Sequence, residues 1–311
     1  MMHDVIVVGG GPAGMTAALY ALRNGKSALV IERDGFGGQV TLSPKIENYP
    51  GKLQVSGMEL ADEMMNQIIE QGADIEIENV TGISANGSWW TVATEEGGSY
   101  DAKAVILATG VKHRMLGLPG EDDLVGEGVS FCAVCDGDFF ADQVVCVAGG
   151  GNSALQEALL LAEKCKEVIM LQDLEFFTGE ERMQEALFAR SNVSSYTNVA
   201  ITALHAGEDG LEAVDIEDRS TGESQRIECD GLFVAIGLIP ENGPFAALAD
   251  LDEYGYFAVD ESCTTKTPGI FVAGDCRGKA IRQITTATAD GAVAALSACR
   301  YINMMSSASA D

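Results

Sequence analysis

Basic side chains are scarce in this chain of 311 residues: 19 Lys and Arg stand against 47 Asp and Glu, a net charge of −28. Nucleic-acid binding needs a Lys/Arg patch to replace the counterions on phosphates, and so few cations do not easily assemble one. The same deficit disfavours anionic membranes, and the acidity reads first as a solvating surface of the kind that suits a salty cytoplasm. Long apolar runs are also missing. No stretch reaches the ~18 to 20 residues of a membrane span. Met1-Met2-His3-Asp4 leads into a strand pattern rather than a basic, apolar leader. A cytoplasmic protein with neither a nucleic-acid nor a membrane partner is expected. Histidine is rare, with only His3, His113 and His205, and just one pair of cysteines is closely spaced. A structural zinc site needs a second such pair, so no metal site is expected. Six cysteines (Cys146, Cys165, Cys229, Cys263, Cys276, Cys299) sit among apolar neighbours, as buried, reduced thiols do.

Glycine, by contrast, is abundant, with 36 residues. The run Asp4 to Val8 ends in Gly9-Gly10-Gly11-Pro12-Ala13-Gly14, a helical stretch continues to Asn24, and Ser27 to Ile31 form a second strand ending at Glu32. In this G-x-G-x-x-G arrangement the first glycine permits the tight turn. The second lets a pyrophosphate approach the backbone, and the third lets helix and strand pack closely. Glu32 stands where a carboxylate accepts ribose hydroxyls. The pattern recurs: strand Val144 to Ala148, loop Gly149-Gly150-Gly151-Asn152-Ser153-Ala154, helix to Lys164, and strand Glu167 to Leu171. With the copies in register, Gln172 stands opposite Glu32. An α/β chain with two Rossmann-like, three-layer (ββα) nucleotide-binding domains is predicted.

Between the copies, alternation predicts a small antiparallel sheet around Ile75 to Glu78 and Trp89 to Val92. Ala104 to Gly110 and Gly231 to Gly237 are buried strands with small-residue exits. A further strand, Gly269 to Gly274, ends in Asp275, and Arg282-Gln283-Ile284-Thr285 opens an Ala-rich helix to about Cys299. The boundaries are 1–112 for the first part of the first nucleotide-binding domain, 113–239 for the second nucleotide-type domain and 240–311 for the first domain's return.

Phe131-Cys132-Ala133-Val134-Cys135-Asp136-Gly137 is the most informative stretch. Its C-x-x-C can close a small disulfide ring if a helical turn begins there, and a helix N-terminus favours the thiolate. Half a zinc site and inert cysteines are the other readings of such a pair. Asp136 follows directly and can move the proton that exchange requires, or merely cap the turn.

Over essentially its whole length the chain resembles the bacterial-type, low-molecular-weight thioredoxin reductases. The resemblance rests on Gly9-x-Gly11-x-x-Gly14, Gly37-Gly38-Gln39, Glu47-Asn48-Tyr49-Pro50-Gly51, Ala108-Thr109-Gly110, Cys132-Ala133-Val134-Cys135-Asp136-Gly137, Gly149-x-Gly151-x-x-Ala154 and Gly274-Asp275 with Arg282-Gln283-Ile284-Thr285. It implies FAD held by Gly9, Gly11, Pro12, Ala13, Gly14, Glu32, Gly38, Gln39, Asn48, Thr109, Gly110, Asp275, Arg282, Gln283 and Ile284. It also implies Cys135 facing the flavin, Cys132 attacking the partner's disulfide, Asp136 as proton donor, and a homodimer whose partner is thioredoxin or a thioredoxin-like protein.

The departure concerns the electron donor. NADPH-using members carry His-Arg-Arg-x-x-x-Arg after the second copy's strand, whereas this chain has Gln172, Asp173, Leu174 and Thr178 in those places. An aspartate there repels a 2′-phosphate. NADPH is disfavoured, leaving NADH or, as in ferredoxin-dependent flavin thioredoxin reductases, reduced ferredoxin, which an acidic protein would have to meet through a local basic patch. Two competing readings are a non-catalytic flavoprotein redox sensor and an NAD(P)H-flavin oxidoreductase; the latter needs no dithiol.

Overall fold

The computed structural model describes residues 2–42, 46, 48–131, 133–207 and 210–308. The chain divides into two compact units, residues 1–112 with 239–311, and residues 113–238. The first unit begins with β1 (Met2–Val8), α1 (Pro12–Arg23), β2 (Ala28–Glu32), α2 (Gly57–Glu70) and β3 (Asp74–Ile77). It continues through β4 (Val80–Asn86), β5 (Trp89–Thr94) and β6 (Ser99–Leu107), and the chain leaves it through β7 (Lys112–His113). Strands β3, β2, β1 and β6 lie side by side in parallel.

Both faces of these strands are covered, so they read as continuous apolar runs rather than alternating ones. Val5, Val7 and Val30 pack under α1, while Ile6, Val8, Leu29 and Ile31 share the opposite core with Val80, Val92 and Ala102. The outer edge of β6 is divided, with Ser99 to Ala102 pairing antiparallel with β5 and Val105 to Leu107 pairing parallel with β17 (Ile270–Val272).

The antiparallel sheet predicted around Ile75 to Glu78 and Trp89 to Val92 is corrected in its first half, while Trp89 to Val92 do pair antiparallel with their neighbours. Ile75 lies in β3, parallel to β2, and β5 pairs with β4 and β6 instead. The reason is α2, a capping-box helix started by Ser56 and Glu59, which serves as the crossover that a parallel neighbour requires.

The second unit runs α3 (Glu121–Leu124), β8 (Val129–Ser130), α4 (Ala133–Asp136), β9 (Val144–Ala148), α5 (Asn152–Leu161), β10 (Glu167–Leu171), α6 (Glu181–Phe188) and β11 (Val193–Tyr196). It ends with β12 (Val199–Gly207), β13 (Gly210–Asp218), β14 (Ser224–Glu228) and β15 (Gly231–Val234). Its parallel sheet has the order β11-β10-β9-β15-β8, and β12, β13 and β14 form a separate antiparallel sheet. One face of the parallel sheet packs against Leu211, Val214 and Ile216 of β13, the other against Leu155, Ala158 and Leu161 of α5. The chain returns through β16 (Leu238–Ile239) and closes the first unit with β17 and α7 (Ile284–Ala308), which extends past Cys299. Among the described residues no helix is long and apolar enough to cross a membrane.

Candidate redox and nucleotide sites

In the first unit the glycine turn joins β1 to α1 under tight steric control. Gly9 has φ +109°, and a Cβ there would lie 2.2 Å from the Ala108 carbonyl oxygen, which only glycine avoids. A Cβ at Gly14 would lie 1.8 Å from the Gly9 carbonyl oxygen, whereas one at Gly11 would meet nothing within 4 Å. The N-terminus of α1 has no side-chain cap, and Pro12 occupies its first turn. Open backbone at Gly11 above uncapped helix N–H groups suits an anion. Gly38 lies beside Gly11, a Cβ on it falling 3.6 Å from the Gly11 Cα. The Glu32 carboxylate accepts from the Gly10 and Asp34 N–H groups, which fixes it at the strand end.

Other residues implied by the resemblance gather in the same unit. Gln39 Nε2 donates to the Val111 carbonyl at 3.3 Å, and Asn48 Nδ2 donates to Gln283 Oε1 at 3.0 Å. Thr109, next to Gly110, shares a 3.0 Å bond with Asn242, whose Nδ2 donates to the Gly255 and Cys276 carbonyls. The Arg282 guanidinium lies 4.2 Å above the Tyr256 ring, and its Nε donates to the Asp275 carbonyl at 3.5 Å. Ala13 meets Gly274, where a Cβ would come within 2.7 Å of its own. Ile284 is the first residue of α7. Asp275 Oδ1 is buried without a hydrogen bond, and burial raises the carboxyl's pKa while Lys279 opposes the rise. An uncapped helix start, an open glycine and a carboxylate held beside the Lys279 ammonium fit a dinucleotide carrying both phosphate and hydroxyl groups.

In the second unit Cys132 lies outside the described residues, and Cys135 stands on α4, the helical turn that a C-x-x-C ring requires. Asp136 ends that turn, and its Oδ2 accepts from Ser130 Oγ at 2.6 Å. His113 stacks on Phe131 with ring centroids 5.7 Å apart, and burial lowers its pKa. On α5, Glu157 has a buried, unpartnered Oε2, and burial pushes its pKa up to about 8.

The second glycine turn repeats the geometry of the first. Gly149 has φ +124°, and a Cβ there would lie 2.4 Å from the Ala235 carbonyl oxygen. The strand end differs. Gln172 is buried, its Nε2 donating to the Phe176 carbonyl at 3.0 Å, and a Cβ at Gly150 would strike its amide. Asp173 lies 3.8 Å from Arg219, a guanidinium from the β13–β14 hairpin that the motif does not contain.

Sequence reasoning misses Asn242, Ser130, Arg219 and the buried group Arg277, Lys279 and Asp290. Only Asp290 leaves a signal, as the lone acid in the Ala-rich stretch Ile284 to Cys299.

Residues 3–291 match the pyridine nucleotide-disulphide oxidoreductase family. A thioredoxin reductase of Treponema pallidum is 40% identical over 97% of this chain and 98% of its own length. That of Bacillus subtilis is 37% identical over 97% and 95% respectively. The crystal structure of Lactococcus lactis thioredoxin reductase superposes with a TM-score of 0.92 at 36% identity, covering 97% of this chain and 99% of that one. The duplicated glycine turns and the C-x-x-C turn thus belong to a flavoprotein oxidoreductase, a member of the pyridine nucleotide-disulphide oxidoreductases. Within that class the chain belongs to the bacterial-type, low-molecular-weight thioredoxin reductase family.

Proposed function

We propose that the chain reduces the disulfide of thioredoxin or a thioredoxin-like protein, with FAD in the first unit and Cys132 and Cys135 as the working dithiol. The observation that carries this reading is the C-x-x-C turn on α4, seated beside α5 in a chain whose relatives over its full length are named thioredoxin reductases. Gly9, Gly11, Pro12, Ala13 and Gly14 would hold the FAD pyrophosphate at the start of α1. Glu32 would take ribose hydroxyls and Asp275 the ribityl chain, with Gly38, Gln39, Asn48, Thr109, Gly110, Arg282, Gln283 and Ile284 lining the rest. When bound, FAD supplies a two-electron carrier.

The chain's own sulfurs perform the exchange. The Cys132 thiolate attacks one sulfur of the partner's disulfide, and that bond breaks as a mixed disulfide forms. The Cys135 sulfur then displaces the partner, leaving a Cys132–Cys135 disulfide and a partner dithiol. Asp136, held by Ser130, delivers a proton to the departing thiolate. A homodimer fits the family.

For the donor, the second strand end argues against NADPH. Asp173 is an anion where a 2′-phosphate would lie, and Arg219 is already paired with it. Gln172 is folded inward onto Phe176, which takes away a ribose acceptor and favours reduced ferredoxin over NADH. Anaerobic stopped-flow reduction with NADPH, NADH and reduced ferredoxin tests this directly. Fast reduction by ferredoxin and slow or absent reduction by NADPH is expected; rapid, saturable reduction by micromolar NADPH refutes the donor assignment. Sustained turnover with a thioredoxin tests the activity itself and separates an enzyme from a redox sensor.

A further inference from the structure

Five charged side chains, Asp275, Arg277, Lys279, Asp290 and the exposed Glu261, form a cluster in the first unit. Asp290, buried on α7, accepts from Arg277 Nε at 2.8 Å and Nη2 at 2.9 Å, from Lys279 Nζ at 3.0 Å and from the Gly274 N–H at 3.1 Å. Lys279, with only 5% of its side chain exposed, also lies 3.3 Å from Asp275 Oδ1 and 3.3 Å from Thr286 Oγ1. A buried ammonium is costly unless its donors are met, and here three oxygens surround it. Two cations thus face the carboxylates of Asp275 and Asp290, with Glu261 reaching Arg277 from the surface, and the turn Gly274 to Lys279 is bound to α7 through Asp290.

We infer that Lys279 is a positioning residue of the cofactor site: it holds Asp275 ionised and aimed, as an acceptor for a hydroxyl of FAD. The inference rests on the assignment of Asp275 to FAD made above. Burial raises the Asp275 carboxyl and Lys279 counters it, with a smaller contribution from Arg282. The other titratable or charged groups near this turn are Arg277, Asp290, Glu261, Cys263 and Cys276. Without Lys279, Asp275 takes up a proton at higher pH and loses its capacity as a charged acceptor.

The test is FAD release from the full-length holoprotein, followed by the fluorescence of freed FAD between pH 6 and pH 9. Wild type should release FAD slowly with little pH dependence. Lys279→Met should release it about tenfold faster or more at the acid end, the loss expected from one charge-assisted bond, with the ratio shrinking as pH rises. Lys279→Arg should restore slow release. Release from Lys279→Met at the wild-type rate, or faster by one constant factor at every pH, overturns the inference, the latter because it marks a purely structural role. Asp275→Asn separates the two layers. If it releases FAD like wild type, the assignment of Asp275 fails; if it releases FAD fast while Lys279→Met does not, only the role of Lys279 fails.

Discussion

Ser130 Oγ and Asp136 Oδ2, 2.6 Å apart, set the aim of the group proposed to move protons for the dithiol. Asp136→Asn should slow disulfide reduction by ~10² to 10⁴-fold with the fold intact, as a general acid does. Ser130→Ala should slow it less, since aim is lost but not the proton. Cys132→Ser and Cys135→Ser should each abolish turnover while FAD stays bound, because exchange needs both an attacking and a resolving sulfur. Steady-state reduction of a thioredoxin, with flavin absorbance as a check on loading, measures all four. Glu157 gives a pH-dependent prediction. An acid whose pKa rises from 4.5 to about 8 on folding keeps its proton in the fold while the unfolded chain loses one. Stability from this group is therefore full below pH 4.5 and declines up to about pH 8. Glu157→Gln should flatten that decline and raise the melting temperature at pH 8 more than at pH 5. Thermal unfolding at the two pH values decides it.

At the scale of elements, α1 is held so closely that single methyl groups matter. A Cβ on Gly14 would enter the Gly9 carbonyl, and one on Gly291 of α7 would lie 2.2 Å from the Ala13 carbonyl oxygen. Gly14→Ala and Gly291→Ala should each cost about 1–3 kcal/mol through overpacking. Denaturant titration reads the loss. The second copy carries Ala154 at the place of Gly14, so a methyl group is accommodated at that position there. Both glycine turns and their flanking strands are legible in the sequence because strand, turn and helix are contiguous, and the α/β class follows from them. The place of β3 is not, because its pairing depends on the crossover through α2 rather than on its own alternation. Nor is the contact of Arg219 with Asp173, which a hairpin distant in sequence delivers. The neutralised cluster around Asp290 is equally hidden, since Arg277 and Lys279 read as surface charges until α7 covers them.

For the molecule as a whole, a charge of −28 means like-charge repulsion across most of the surface. Salt screens that repulsion within a Debye length of about 3 Å at 1 M, against about 10 Å at 0.1 M. The melting temperature should therefore rise between 0.1 M and 1 M NaCl, and with KCl by the same amount if screening alone is responsible.

The two glycine turns meet the same obstacle at the same place: Gly9 against the Ala108 carbonyl, Gly149 against that of Ala235. That constraint comes from the frame and not from any ligand, so the second turn persists whatever its neighbours at the strand end become. Descent could thus rewrite the exposed residues Asp173, Leu174 and Thr178 while the socket beneath them stayed intact. The same freedom runs in reverse. Installing Asp173→Arg, Leu174→Arg and Thr178→Arg together should leave the melting temperature within a few degrees of wild type yet give the protein measurable reduction by NADPH, a change of fuel without a change of engine.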